Sequence, residues 1–193
     1  MTKLKTFQET TEKPKLVIQY DRDTESPREW FTLGVLLLVG NYKGSGDQDD
    51  TLREVVNETA ELATSSENHL NLLKEKLGDK LAIFPVSKYE HGGVSFSRGI
   101  TGGFDSSHCG FYFVNKKDNE LGTKEKDFEL VIDAELDNFN SYANGDVYGF
   151  VLYDDNGEIE HSCWGFYDPK HEDIREHLPK EWEDEDLTKY FND

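Results

Sequence analysis

Hydrophobic positions along the chain change period several times, and each change marks an element. Residues 15–20 read as a first strand, and the apolar run 33–39 reads as a strand buried on both faces. From about Thr51 the period becomes helical: Leu52, Val55, Val56, Thr59 and Leu62 share one side. Ser65–Ser66 interrupts that pattern, His69, Leu70, Leu73 and Leu77 resume it, and Gly78 closes it as a C-cap. Residues 81–89, 94–98 and the aromatic run 109–115 return to strand character. Residues 124–142 give the clearest helix, with Phe128, Val131, Ile132, Leu136, Phe139 and Tyr142 on its apolar face. Residues 147–153 and 158–167 form a hairpin in which Asn156-Gly157 predicts a two-residue type I′ turn. That turn sets Leu152 opposite His161 and Phe150 opposite Cys163.

The implied fold is α+β: a mainly antiparallel sheet, one long helix packed on it, and a helical insertion at about 51–77. Residues 1–14 are polar and read as a flexible arm, 15–168 as a single domain, and 169–193 as an acidic C-terminal tail. Trp182, Leu187, Tyr190 and Phe191 give the tail something to dock with. In the turn-rich stretch 21–30, Ser26 is placed to cap a short helix that opens on Pro27.

Charge narrows the function classes. The 193 residues carry 40 Asp and Glu against 21 Lys and Arg, a formal net charge of −19. Phosphate contacts require Lys and Arg, so direct nucleic-acid binding is disfavoured, as is docking on an anionic membrane. A basic partner fits better. No apolar run is long enough to span a bilayer and no secretory signal is visible, so the expected location is the cytoplasm. Two cysteines, Cys109 and Cys163, do not make a disulfide framework.

Candidate chemistry is sparse. His161 and Cys163 fall on one strand face and could share a metal, but His108 and Cys109 alternate, so a four-ligand zinc site is not completed and no cofactor is expected. Asp21, Asp23, Glu25 and Glu29 offer oxygens for calcium, yet Ser26 and Pro27 stand where an EF-hand turn needs glycine. Cys109 with His108 or His161 could form a thiol–base pair, in surroundings poor in the cations that activate thiols. Glu135 falls within the apolar face of the long helix, where a carboxylate needs a partner such as Arg28 or a backbone amide. The strongest constellation is charge itself. Glu125, Glu129, Asp133 and Asp137 recur on successive helical turns roughly 6 Å apart, and Glu181, Glu183, Asp184, Glu185 and Asp186 form a second block. Both could lie where a nucleic-acid-binding protein holds phosphates.

Three segments resemble a family of small, largely uncharacterised proteins encoded by phages, prophages and mobile elements of Gram-positive bacteria. They are Asp21-Arg-Asp-Thr-Glu-Ser-Pro-Arg-Glu-Trp30 with Leu33-Gly34; His91-Gly-Gly-Val-Ser with Phe104-Asp-Ser and Gly110-Phe-Tyr-Phe-Val114; and Gly145-Asp-Val-Tyr-Gly-Phe150 with Ser162-Cys-Trp-Gly-Phe-Tyr167. The resemblance implies an accessory gene of a mobile element and carries over no catalytic residue. With the charge pattern, it leads to the expectation of a non-enzymatic inhibitor. Such a protein would bind a basic host protein, a nuclease or defence complex of the CRISPR or restriction type, by nucleic-acid mimicry. The alternative is a small enzyme or a ligand- or metal-binding domain, with a pocket near the Gly-rich loop 90–107 lined by Trp30 and Trp164.

Overall fold

A computed structural model describes residues 15–167 and 172–192. The expected arm, 1–14, falls outside the described residues. The fold is α+β, and the chain divides into two compact units where the sequence pattern drew one domain and a tail. One unit is continuous, Glu25–Asn144; the other takes the chain up to Thr24 and again from Gly145.

The continuous unit is built on a four-stranded antiparallel sheet of order β2-β5-β3-β4, formed by β2 (Val35–Leu38), β3 (Leu81–Glu90), β4 (Val94–Arg98) and β5 (Ser106–Asn115). Strand alternation sends Leu36, Leu38, Tyr112 and Val114 to one face, where Phe128, Ile132, Leu136 and Phe139 of α3 (Phe128–Asn144) cover them. The intervening Leu37, Phe111 and Phe113 point the other way, onto Val56 of α1 (Asp50–Leu62) and Leu73 of α2 (Ser66–Leu77). The helical segment at 51–77 therefore supplies the second layer that makes β2 and β5 apolar on both faces. Asp49 caps α1 by accepting from Leu52 N at 2.8 Å, and Ser65 caps α2 by accepting from Asn68 N at 3.1 Å. Leu62, placed by spacing on the apolar side of α1, is instead exposed at the helix end.

Side chains seal both edges of this sheet. Asn140 and Asn144, one turn apart on α3, each bind a backbone N–H and C=O of β4. Phe96 N donates to Asn140 Oδ1 at 2.7 Å and Val94 N to Asn144 Oδ1 at 2.9 Å, while the two amide nitrogens donate to Phe96 O and Val94 O at 3.0 and 2.7 Å. On β2, Leu36 N donates to Asp47 Oδ2 at 2.7 Å, Asp47 N donates to Leu36 O at 2.8 Å, and Arg53 Nη1 donates to Leu38 O at 3.2 Å. The two amides on β4, and the Asp47 carboxylate and Arg53 guanidinium on β2, stand in for a further strand.

The other unit is a three-stranded antiparallel sheet of order β1-β6-β7, made by β1 (Leu16–Tyr20), β6 (Tyr148–Tyr153) and β7 (Ile159–Phe166). The hairpin register is as expected: Phe150 pairs with Cys163 and Leu152 with His161. The turn differs. Asp154 N donates to Glu158 O at 2.8 Å and encloses three residues, with Gly157 at φ +79° and a register shift between Leu152 and Tyr153. Asp154 accounts for the change, because its Oδ1 accepts from both Asn156 N and Glu158 N at 2.8 Å. The segment expected to be a tail closes this core. Short helical turns at Glu172–Arg175 (α4), Lys180–Trp182 and Leu187–Tyr190 bring Ile174, Trp182 and Leu187 onto Leu16, Ile18 and Phe150. Asn192 N then donates to Ile18 O at 2.7 Å.

Candidate functional site

The Ser26-Pro-Arg-Glu-Trp30 string delivers one buried guanidinium. Ser26 Oγ accepts from Arg28 N at 3.2 Å and starts the 3-10 turn Pro27–Glu29, as the sequence predicts. The turn delivers Arg28, whose side chain is only 5% exposed. Its Nε and Nη2 bind the two Asp47 oxygens at 3.1 and 2.7 Å, Nη1 binds Glu135 Oε2 at 2.7 Å, and Nη2 also reaches Gly34 O at 2.6 Å. Burial penalises this charge more than any single contact favours it, but the hydrogen bonds and charge attraction of Asp47 and Tyr112 together outweigh the penalty and raise the pKa. Glu135 Oε1 accepts from Leu33 N at 2.7 Å, and Tyr112 OH donates to Glu135 Oε2. Burial, with Glu135 alongside, pushes the Tyr112 phenol up. The carboxylate on the apolar face of α3 thus has both expected partners, Arg28 and a backbone amide. Every carboxylate oxygen in the cluster is already held by a donor, which makes it a brace rather than an acid–base pair.

Among the described residues, Cys109 and His108 do not form a thiol–base pair. Cys109 is buried at a bulge in β5 beside Val86, and burial pushes its thiol up to about 12. His108 faces the opposite side, against Phe111 at 4.7 Å between ring centres. His69 stacks edge-on against the same Phe111 at 4.9 Å, and its Nε2 lies 3.0 Å from Thr59 Oγ1. Burial lowers the pKa of both histidines. His161 is exposed and Cys163 half-buried, and among the described residues no group of three or more His, Cys, Asp or Glu could hold a metal. Of the acidic loop, Asp21 and Asp23 belong to the terminal unit and Glu25 and Glu29 to the continuous one.

The two acidic blocks also fall in different units. Glu125 sits in a 3-10 turn, Glu125–Asp127, that precedes α3, so the four-residue row is not one helix face. Lys116 pairs with Glu125 at 3.0 Å, and Arg98 holds Asp133 through two 3.0 Å hydrogen bonds and Glu129 at 3.2 Å. Those bonds, Asp133 first, raise the Arg98 pKa. Asp137 is exposed and, among the described residues, has no ion-pair partner. Sequence spacing exposed the acids but not Arg98 and Lys116, which strand pairing brings beside them.

In the terminal unit Glu183, Asp184, Glu185 and Asp186 are consecutive and exposed between the buried Trp182 and Leu187; the Glu181 side chain falls outside the described residues. Arg175 Nη1 donates to the backbone oxygens of Trp182 and Glu183 at 2.9 and 2.7 Å, which fixes the segment without consuming its carboxylates. Asp186 accepts from Thr188 Oγ1 at 2.6 Å and Glu185 from Tyr190 OH at 3.2 Å. The side-chain carboxylates of Glu183 and Asp184 make no hydrogen bond or ion pair among the described residues.

The Gly-rich loop crosses from β4 to β5 over β3. Buried Ser87 Oγ donates to Gly99 O at 2.8 Å and accepts from Thr101 N at 3.0 Å, so the loop is tied to the strand beneath it. Among the described residues, cavities border other elements. One of about 600 Å³ borders Arg28, Trp30, Asp47 and Phe113. A second, of about 300 Å³, lies between Phe31, Leu121 and Leu130. A third, of about 580 Å³ in the terminal unit, borders Trp164. Trp30 and Trp164 therefore line separate cavities in separate units. No helix among the described residues is long and apolar enough to cross a membrane. No family model, curated protein or solved structure matches the chain.

Proposed function

We propose that the protein is an accessory protein of a phage or mobile element that binds and inhibits a basic, nucleic-acid-handling defence protein of its host cell. Its mechanism is competition: carboxylates occupy the Lys and Arg positions that otherwise hold phosphates. The observation that carries this reading is the run Glu183–Asp186, four exposed acids on a segment anchored at both ends by buried side chains. Anchoring removes much of the ordering cost that a disordered acidic tail would meet on binding. A net charge of −19 supplies long-range steering. The α3 row contributes less than its count suggests, since Arg98 and Lys116 neutralise part of it, and Asp137 is its one member without an ion-pair partner among the described residues.

The test is affinity capture from host lysate at low and high salt, followed by kinetics with the captured protein. A nucleic-acid-binding protein should be recovered at low salt and lost at high salt. Glu183→Gln with Asp184→Asn should slow association by about tenfold at low salt, because neither carboxylate has a structural bond to lose. A complex unchanged in molar salt, or insensitive to that pair, would exclude mimicry.

A further inference from the structure

Trp164 is held as a plate on the sheet of the terminal unit. It pairs across the strands with Gly149, and its six-membered ring lies directly over that glycine. A Cβ on Gly149 would stand 2.1 Å from the ring, so only glycine leaves room for it. The indole is nevertheless 43% exposed and borders the 580 Å³ cavity. Around it stand Gln19, Asp21, Arg22, Asp23 and Asn192. Asp21 is fixed by its own N–H to Val147 O at 2.7 Å, and its Oδ1 accepts from Asp23 N at 3.2 Å. Asp21 Oδ2 and both Asp23 oxygens make no hydrogen bond or ion pair among the described residues.

A pre-positioned indole face beside two available carboxylates matches one ligand chemistry better than others. A planar cation stacks on the negative face of the ring and gives its edge N–H groups to carboxylates. A phosphate-bearing ligand would meet two acids for one arginine in a chain already at −19. We propose that this cavity captures an arginine side chain of a basic protein partner, its guanidinium stacked on Trp164 and paired with Asp21 and Asp23. The partner's basic character rests on the function proposed above; the chemistry of the cavity does not. Arg22 is the one cation among the described residues of the lining, and it competes with the incoming guanidinium.

The test titrates the full chain with hexa-arginine and hexa-lysine peptides while following the Trp164 indole resonance, assigned by comparison with Trp164→Phe. Hexa-arginine should shift that resonance and bind more tightly than hexa-lysine, because an ammonium cannot stack in this way. Trp164→Ala should weaken arginine binding by about tenfold. Asp23→Asn, an exposed position with no core contact to lose, should weaken it several-fold. Arg22→Ala should strengthen it. Equal affinity for the two peptides, indifference to Trp164→Ala and Asp23→Asn, or weaker binding in Arg22→Ala would each overturn the proposal. Saturation of the same resonance by a neutral disaccharide with comparable affinity would overturn it too, and reassign the cavity to hydroxylated rings. Arginine capture with no salt-sensitive host partner would leave this site standing and remove the proposed function. The converse result would do the opposite.

Discussion

Arg28 is the residue whose loss should cost the continuous unit most for its size. Arg28→Met keeps much of the apolar stem and removes every N–H donor of the guanidinium. Two bonds to Asp47, one to Glu135 and one to Gly34 O disappear together. Asp47 and Glu135 are then left as carboxylates whose side chains are only 20% and 16% exposed. Leu36 N, Leu33 N and Tyr112 OH still donate to them, so they are not stripped bare. Breaking one side of a buried ion pair costs about 3–5 kcal/mol. At about 2–4 °C per kcal/mol for a chain of this size, melting should fall by roughly 10 °C. Urea unfolding followed by circular dichroism reads the loss as a lower midpoint at unchanged slope. The triad also predicts coupling: Glu135→Gln should cost about 1–3 kcal/mol less beside Arg28→Met than alone. If Arg28→Met cost below about 1 kcal/mol, the range of a surface ion pair, Arg28 would not be the brace described.

Other outcomes follow from single features. In native protein at pH 8 a thiol reagent should titrate one cysteine, the half-buried Cys163; Cys109, buried with its pKa near 12, should react only after denaturation. His69 and His108 have folded pKa values below the ordinary 6.5, so the folded state binds fewer protons than the unfolded one. Their contribution is whole above pH 6.5 and is lost as pH falls from there toward the folded values. His69→Gln with His108→Gln should therefore flatten urea midpoints between pH 7 and 5. Replacing Asn140 and Asn144 by Ala leaves four backbone groups of β4 open; it should cost about 1–3 kcal/mol per residue and promote edge-to-edge association visible by light scattering.

Much of the fold was legible where a pattern repeats within a few residues. The run 33–39 announces a strand covered twice, and the structure places a helical layer on each side of it. Glu135 was readable as a buried acid because six apolar-face residues fix the helix phase, and the search for its counter-charge led to Arg28. The hairpin register came out as expected although the turn did not, because the bulge beside Tyr153 compensates for the third loop residue. What stayed hidden depends on long-range pairing. Arg98 meets Asp133 across 35 positions, and Asn140 meets Phe96 across 44. Local periodicity carries no trace of either. The segment after Asp168 read as a tail because its acids dominate the composition, while its anchors, Ile174, Trp182 and Leu187, are too widely spaced to form a periodic stripe.

The chain-end unit imposes a timetable on folding. β1 pairs with β6, Leu16 against Leu152, so the earliest described strand has no neighbour until more than a hundred later residues exist. Its apolar face is finished only by Ile174, Trp182 and Leu187. Residues 25–144 contain all the partners of their own sheet and can collapse while the rest is still being made. β1 finds its partner only once β6 has been made. Until then Leu16 and Ile18 wait without cover on a nascent chain. The acidic surface proposed to meet a partner is therefore completed later than the sheet of residues 25–144.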